Sequence, residues 1–371
     1  MKFIISSAEL LKGIMAVSKA IPTKSGLPIL ENFLFKLEGE KLEITASDSE
    51  LTLRTSLSVD NVEEQGSIAV PARHIQELLK ELPDQPVTIR TIKENYFECS
   101  WMGGSSTLPY FNAAEYPAIT TTDESAQTIS FPAQVLVDGI NSTIYATDDD
   151  EMRPVMNGIL FDMGPEGTTL VATDSRKLVC FTTTEVKAEE QTSFILHKKP
   201  AGIIRSVIGK DAQQVTISYD SKNAVFSFDG TMVVCRLIAG KYPRYRDVIP
   251  QNNSNILKID RQQLLNSVKR VSVCSSKAQN FIKFDLQSDS LEISAQDLGF
   301  SISAHEKTKC QYDGEDLQIG FKSSFLIDIL NNLSCSDIVI KFADARRAAL
   351  LLPDDDDQQE KICAILMPIQ I

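Results

Sequence analysis

The sequence is poor in the residues that carry covalent and metal chemistry. Its 371 residues include three histidines, His74, His197 and His305, all isolated from one another. The seven cysteines, Cys99, Cys180, Cys235, Cys274, Cys310, Cys335 and Cys363, are odd in number, scattered and never spaced as CxxC. They read as small buried hydrophobes in a reducing, cytoplasmic setting. A zinc centre needs converging ligands, normally supplied as close pairs in sequence, so no metal is expected. No apolar run reaches the roughly 18 residues that suggest a membrane span. The opening "MKFIISSAELLKG" has no small-residue cleavage site and is read as a first strand rather than a signal peptide. P-loop, GxGxxG, GxSxG and HExxH patterns are all missing, and no cofactor is expected. Positive charge is short too. A formal net charge of −13 argues against a protein coated in nucleic acid, although a sum hides how the charge is distributed.

What the chain does have is repetition. "LEITASDSELTLRT" from Leu42, "LVATDSRKLVCFTT" from Leu170 and "LEISAQDLGFSISA" from Leu291 align so that Asp48, Asp174 and Asp297 share a register. The offset of about 125 residues is the size of a domain, not of a solenoid unit. The register extends upstream through "LPILENFLFKLEG", "RPVMNGILFDMGPEG" and "NFIKFDLQSD", and downstream through "VTIRT", "VTISY" and "IVIKF". Tyr116-Pro117 is answered by Tyr242-Pro243. Three similar domains are expected, over 1–122, 127–250 and 254–371, with polar joints near 121–128 and 250–256.

Each copy carries two helical patterns. The first spaces Leu10, Ile14, Val17 and Ile21 on one stripe with Ser7 as N-cap, and "FPAQVLVDGINSTIY" and "DRQQLLNSVKRVSV" occupy the matching places. The second spaces Ile75, Leu78, Leu79 and Leu82. It recurs as Leu326, Ile329, Leu330 and Leu333, and in shorter form as Ile204, Val207 and Ile208. The remainder reads as short alternating strands with Gly, Asp or Asn turns, so each domain is α+β, two helices packed on antiparallel sheets.

The Thr173-Asp174-Ser175 turn resembles an active-site turn, with a carboxylate beside a hydroxyl. Its recurrence argues otherwise, because a structural turn must repeat with the domain and a catalytic set need not. Asp at this position is expected to hydrogen-bond its own turn backbone. The positive charge gathers in acid-free stretches on or beside helices: Lys12, Lys19 and Lys24; Lys198, Lys199, Arg205 and Lys210; Arg261, Lys269, Arg270 and Lys277. Acids gather at Asp148-Asp149-Asp150-Glu151, at 185–190 and at 354–357. An acidic protein with basic helices suggests one positive surface facing one partner. The chain ends "KICAILMPIQI", of which Ile362 to Leu366 suits a buried last strand. Met367-Pro368-Ile369 suits a surface for a short apolar peptide, since Pro cannot donate to a ladder. Besides such a one-partner surface, two other readings stand on the residues: a metal-dependent acidic hydrolase using the aspartate runs, and a repeat scaffold that binds only proteins.

The ordered set "LLKGIMAVSKAI", "LPIL", "VPAR", "NGILF", "VATDSRKL", "YPRYRDVIP" and terminal "MPI" resembles the bacterial β sliding clamps, the processivity subunits of replicative DNA polymerase, over the whole chain. The resemblance implies three clamp domains per protomer and a homodimer closed head to tail into a ring around duplex DNA, held without regard to sequence. It places Lys24, Arg73, Lys198 and Lys199 near DNA; the helix reading adds Arg205, Lys269 and Arg270. It further implies a pocket for short peptides from the polymerase, the clamp loader and repair proteins. The pocket would comprise Met156, Thr173, Ser175, Arg176, Leu178, Pro243, Val248, Ile365, Leu366, Met367, Pro368 and Ile369. The protomer interface is expected at the strand around 100–108 and near Val273. Departures from the family pattern are Ser175-Arg176-Lys177 for Gly-His-Arg, Asp247 for a second Arg, and "MPIQI" for "MPMRL" or "MPIRL".

Overall fold

The computed structural model describes residues 1–93, 95–277, 279–354 and 360–370. They contain six α-helices: α1 (Ser7–Val17), α2 (Ala72–Glu81), α3 (Ala133–Thr143), α4 (Lys198–Val207), α5 (Arg261–Ser272) and α6 (Ser323–Asn332). Each repeat supplies two, as its periodicity predicts. On α1, Leu10, Ile14 and Val17 are fully buried; the helix stops at Val17, so Ile21 lies beyond it and is half-buried. On α6, Leu326, Ile329 and Leu330 are buried, as is Leu333 just past its end. Covering a side chain of this size contributes about 2 kcal/mol.

One cap differs from expectation. The N-cap of α1 is Ser6, whose Oγ accepts from the amides of Ala8 at 3.2 Å and Glu9 at 3.3 Å. Ser7 is already helical and its buried hydroxyl donates to the Pro83 carbonyl at 2.8 Å. The strand Lys2–Ser6 runs straight into the helix, so its last extended residue takes the capping role.

The backbone divides into two compact units, Met1–Gln134 with Ile203–Leu237, and Val135–Gly202 with Ile238–Ile371. The units cut across the central repeat, because sheets are shared between repeats. In the first unit a nine-stranded sheet joins Phe111–Asn112, Gly66–Pro71, Asn32–Glu38, Lys41–Ser47 and Leu51–Ser58 to four central-repeat strands, Thr231–Arg236, Asn223–Phe228, Gln214–Tyr219 and Gln127–Pro132. The seam is the antiparallel pairing of Leu53 with Val233 and its neighbours. A five-stranded sheet in the same unit runs Asp60–Glu64, Lys2–Ser6, Pro86–Thr91, Tyr96–Trp101 and Gly104–Pro109.

The second unit repeats the plan. Thr192–His197, Gly158–Gly164, Gly167–Thr173 and Lys177–Thr183 from the central repeat continue into Glu360–Leu366, Ala349–Pro353, Asp337–Phe342, Asn255–Asp260 and Gln311–Asp313 from the last. Its seam pairs Lys177 with Leu366 and Leu178 with Ile365. A four-stranded sheet orders Ile302–Lys309, Ser290–Asp297, Phe281–Gln287 and Leu317–Lys322. The second seam brings the turn at Asp174 beside the end of the chain.

Candidate functional site

The turn at Asp174 is built by its own carboxylate. Asp174 Oδ1 accepts from the amides of Arg176 at 2.9 Å and Lys177 at 2.8 Å. Asp48 Oδ1 does the same for Glu50 at 3.1 Å and Leu51 at 2.8 Å, and Asp297 Oδ1 for Gly299 at 2.9 Å and Phe300 at 3.4 Å. A carboxylate spent on its own backbone is an Asx turn. Thr173 completes the turn by donating to the Lys177 carbonyl at 2.8 Å and accepting from the Ser175 amide at 3.1 Å.

The central copy adds a buried cation. Lys177 is 6% exposed, and its ammonium lies 3.0 Å from Asp174 Oδ2, 3.8 Å from Asp328 Oδ2 on α6 and 4.4 Å from the centre of the Phe325 ring. Lys322 stands over the same ring at 4.5 Å. Burial raises the Asp328 carboxyl above its ordinary value despite the nearby ammonium. Asp174→Ala removes two turn bonds and leaves Lys177 with one distant partner, so it is expected to cost about 3 kcal/mol. Asp297→Ala removes the equivalent turn bonds in the last copy and should cost about 1 kcal/mol. Equal losses by urea unfolding would remove Lys177 from the account.

Beside this turn lies a shared apolar cluster of Leu160, Val171, Leu178, Cys180, Ile195, Tyr242, Tyr245, Leu350 and Ile365. Of the expected pocket residues, Leu178 and Ile365 belong to it, opposed across the seam. Thr173 and Leu366 are buried, Met156, Pro243, Pro368 and Ile369 are half-buried, and Ser175 and Arg176 are exposed. Val248 at 56% and Met367 at 47% stand open to solvent although both are apolar. Ile249 and Val155, the chain neighbours of Val248 and Met156, pack on the cluster and bring those segments to it. The tail is tied in as well, for the Met367 amide donates to the Arg176 carbonyl at 2.9 Å.

Sequence reading missed Arg153 and Phe325. Arg153 donates through Nη1 to Ser175 Oγ at 2.8 Å, and meets Asp148 at 2.8 Å and Asp150 at 3.0 Å. A signal for its acidic partners was present, since an arginine stands two residues after the Asp148–Glu151 run. Those acids are therefore counter-charges: Asp149 pairs with Lys198, which lowers its carboxyl pKa, and Asp150 is lowered by the Met152 amide and then by Arg153. Asp354 pairs with Lys258, while Asp355 to Asp357 lie outside the described residues.

Of the basic residues expected near DNA, Lys198 is half-buried and the rest are exposed, and several are partnered. Arg73 pairs with Glu77 at 2.9 Å within α2, and Lys198 with Asp149. Lys269 donates to Asn331 at 3.3 Å, and Arg270 meets Glu306 at 2.5 Å and 2.9 Å. Lys24, Lys199 and Arg205 are exposed. Hydrogen bonds from Arg270 and Ser267 hold the Glu306 carboxyl down at about 2. A depressed carboxyl stabilises above its ordinary value of 4.5 and loses that contribution as pH falls from about 4.5 to about 2. The pair is open to solvent, so the effect is small. Glu306→Gln should flatten the acid limb of the stability curve, and an unchanged limb would count against the pair.

Three family models match the chain in order: the N-terminal domain of the DNA polymerase III beta subunit over residues 1–120, its central domain over 130–244 and its C-terminal domain over 246–370. The chain belongs to the β sliding clamp family. It is 27% identical to the beta sliding clamp of Synechococcus elongatus over 384 residues, covering 100% of both chains. It is also 27% identical to that of Vibrio cholerae, over 94% of this chain and 95% of the relative. The DNA polymerase III beta subunit of Pseudomonas aeruginosa has a TM-score of 0.95 at 25% identity over 100% of both chains. The Thermotoga maritima beta subunit has a TM-score of 0.90 at 25% identity, over 100% of this chain and 99% of that one. The protein shares the three-domain clamp fold and is a non-catalytic processivity clamp for DNA polymerase III.

In this clamp Ser175 adopts a left-handed conformation, φ +70°, and so does Ser49 in the first copy, φ +80°. That region favours glycine. At Ser175 the serine brings a hydroxyl that receives Arg153. Asp247 is exposed in the short 3-10 turn Tyr245–Val248.

Proposed function

We propose that two copies of this clamp close into a ring around duplex DNA and recruit partners through the apolar face beside Asp174. The three domains, proposed over 1–122, 127–250 and 254–371, are the duplicated units. The observation that carries the reading is the ordered match of all three clamp domains along the whole chain.

Two sheet ends support the homodimer. Gly104–Pro109 ends the five-stranded sheet and Ile302–Lys309 ends the four-stranded one. An end strand carries unpaired backbone donors and acceptors, which a strand from a second copy satisfies. Val273, 76% exposed just past α5, would be covered in the same association.

Lys24, Arg73, Arg205, Lys198, Lys199, Lys269 and Arg270 are the proposed DNA-facing cations. The ion pairs of Arg73, Lys198 and Arg270 support loose contact, because a paired cation grips phosphate less strongly. A clamp that slides needs sequence-blind and weak contacts. The proposed peptide site is lined by Met156, Thr173, Ser175, Arg176, Leu178, Pro243 and Val248, and by Ile365, Leu366, Met367, Pro368 and Ile369. Its occupants are short apolar segments of the polymerase, the clamp loader and repair proteins.

Sedimentation equilibrium should return twice the chain mass at micromolar concentration, and negative-stain images should show a central hole. A single-chain mass, or a solid particle, would count against the ring.

A further inference from the structure

Residues 367–369 do not trail off the fold. After Glu360–Leu366 leaves the nine-stranded sheet, the Met367 amide donates to Arg176 and the Ile369 amide donates to the Gly320 carbonyl at 2.8 Å. Gly320 and Ile369 form an antiparallel bridge. Gly320 lies in Leu317–Lys322, an end strand of the four-stranded sheet, so within this unit the tail starts on one sheet and lands on the other.

Only glycine leaves room for that landing. A Cβ at Gly320 would fall 2.3 Å from the Phe281 ring and 2.9 Å from the Ile369 carbonyl oxygen. Both are far inside van der Waals contact. Phe281 pairs with Lys322 in the neighbouring strand, and its ring covers the face a side chain at 320 would occupy. The glycine serves close approach of another backbone.

We propose that Gly320 is a positioning residue for partner binding, seating residues 367–369 as a ready-made wall of the peptide site. The proposal rests on the assignment of that site to partner peptides. A tail held at both Arg176 and Gly320 is ordered before the peptide arrives. A free tail would have to be ordered on binding, and that entropy subtracts from affinity. The Gly320 seat thus acts on affinity through the tail without touching the peptide.

The test measures binding of the full-length protein to immobilised replicative DNA polymerase by surface plasmon resonance, with amide hydrogen exchange of residues 365–370 in parallel. Gly320→Ala should speed exchange of the Ile369 amide and weaken binding about tenfold, while dimer mass holds. Ile369→Pro removes the donor N–H, and Ile369→Ala trims the same side chain but keeps that N–H, so Ile369→Pro should bind more weakly than Ile369→Ala, and equal binding by the two would count against the seat. This pair decides the matter should Gly320→Ala fail to fold. The deletion of 367–371 is the reference. If the deletion abolishes binding but Gly320→Ala and Ile369→Pro, with the tail seen to be released, bind as tightly as wild type, Gly320 has no positioning role. If the deletion itself binds normally, the peptide-site assignment falls, and this proposal with it.

Discussion

Loaded onto nicked circular DNA, the protein is expected to stay bound through a high-salt wash and to leave once the circle is cut. The reason is the division of labour between topology and charge. A conventional binder making six to ten phosphate contacts loses about 10³ to 10⁵ in affinity between roughly 50 and 200 mM salt. This clamp carries a net charge of −13, and Arg73, Lys198 and Arg270 already have carboxylate partners. Such a surface has little capacity to hold DNA by ion pairing in high salt. Retention there would come from closure of the proposed ring. Gel filtration of clamp loaded on circles and on linear molecules separates the mechanisms. Equal loss from both would mean that DNA is held by contacts alone.

Deleting residues 367–371 is expected to weaken polymerase binding by about a hundredfold or more and to leave the proposed dimer intact. Met367 is 47% exposed and Ile369 half-buried, next to a cluster containing Leu178 and Ile365. Covering a side chain of this kind is worth about 1.5 to 3 kcal/mol. Losing two such contacts gives about 3 kcal/mol at the least, a factor of about a hundred or more. The sheet core is spared, because Glu360–Leu366 ends before the cut. The strands Gly104–Pro109 and Ile302–Lys309 proposed to join protomers are also untouched. Isothermal titration with the polymerase, alongside sedimentation, checks both halves. Unchanged affinity in the truncated protein would refute the pocket assignment.

Local features were legible from residue order. The stripe Leu10, Ile14, Val17 predicts α1 because helical spacing repeats within a turn, and the three Asx turns follow from a carboxylate two and three residues before the amides it binds. The N-cap was misplaced by one residue because Ser6 and Ser7 are equivalent by type. What separates them is the strand that runs into the helix.

The candidate site divides the same way. Thr173, Ser175, Arg176, Leu178, Ile365 and Leu366 were named through the family resemblance, Met367 to Ile369 also from their own composition, and the structure brings Leu178 and Ile365 face to face. Arg153 escaped notice because its partner Ser175 lies 22 residues away, and nothing in either segment specifies the other.

Sequence alone determined the threefold repetition, the helices and the turn chemistry, since each depends on residues within a few positions of one another or on plain recurrence. Only the tertiary structure decided that sheets run across repeat boundaries, with Leu53 against Val233 and Leu178 against Ile365, and that Ile369 lands on Gly320. Alternation along a strand marks the face that is buried but leaves its hydrogen-bonding edges anonymous. The neighbour that satisfies an edge is chosen by the closure of distant chain segments, which no local pattern records.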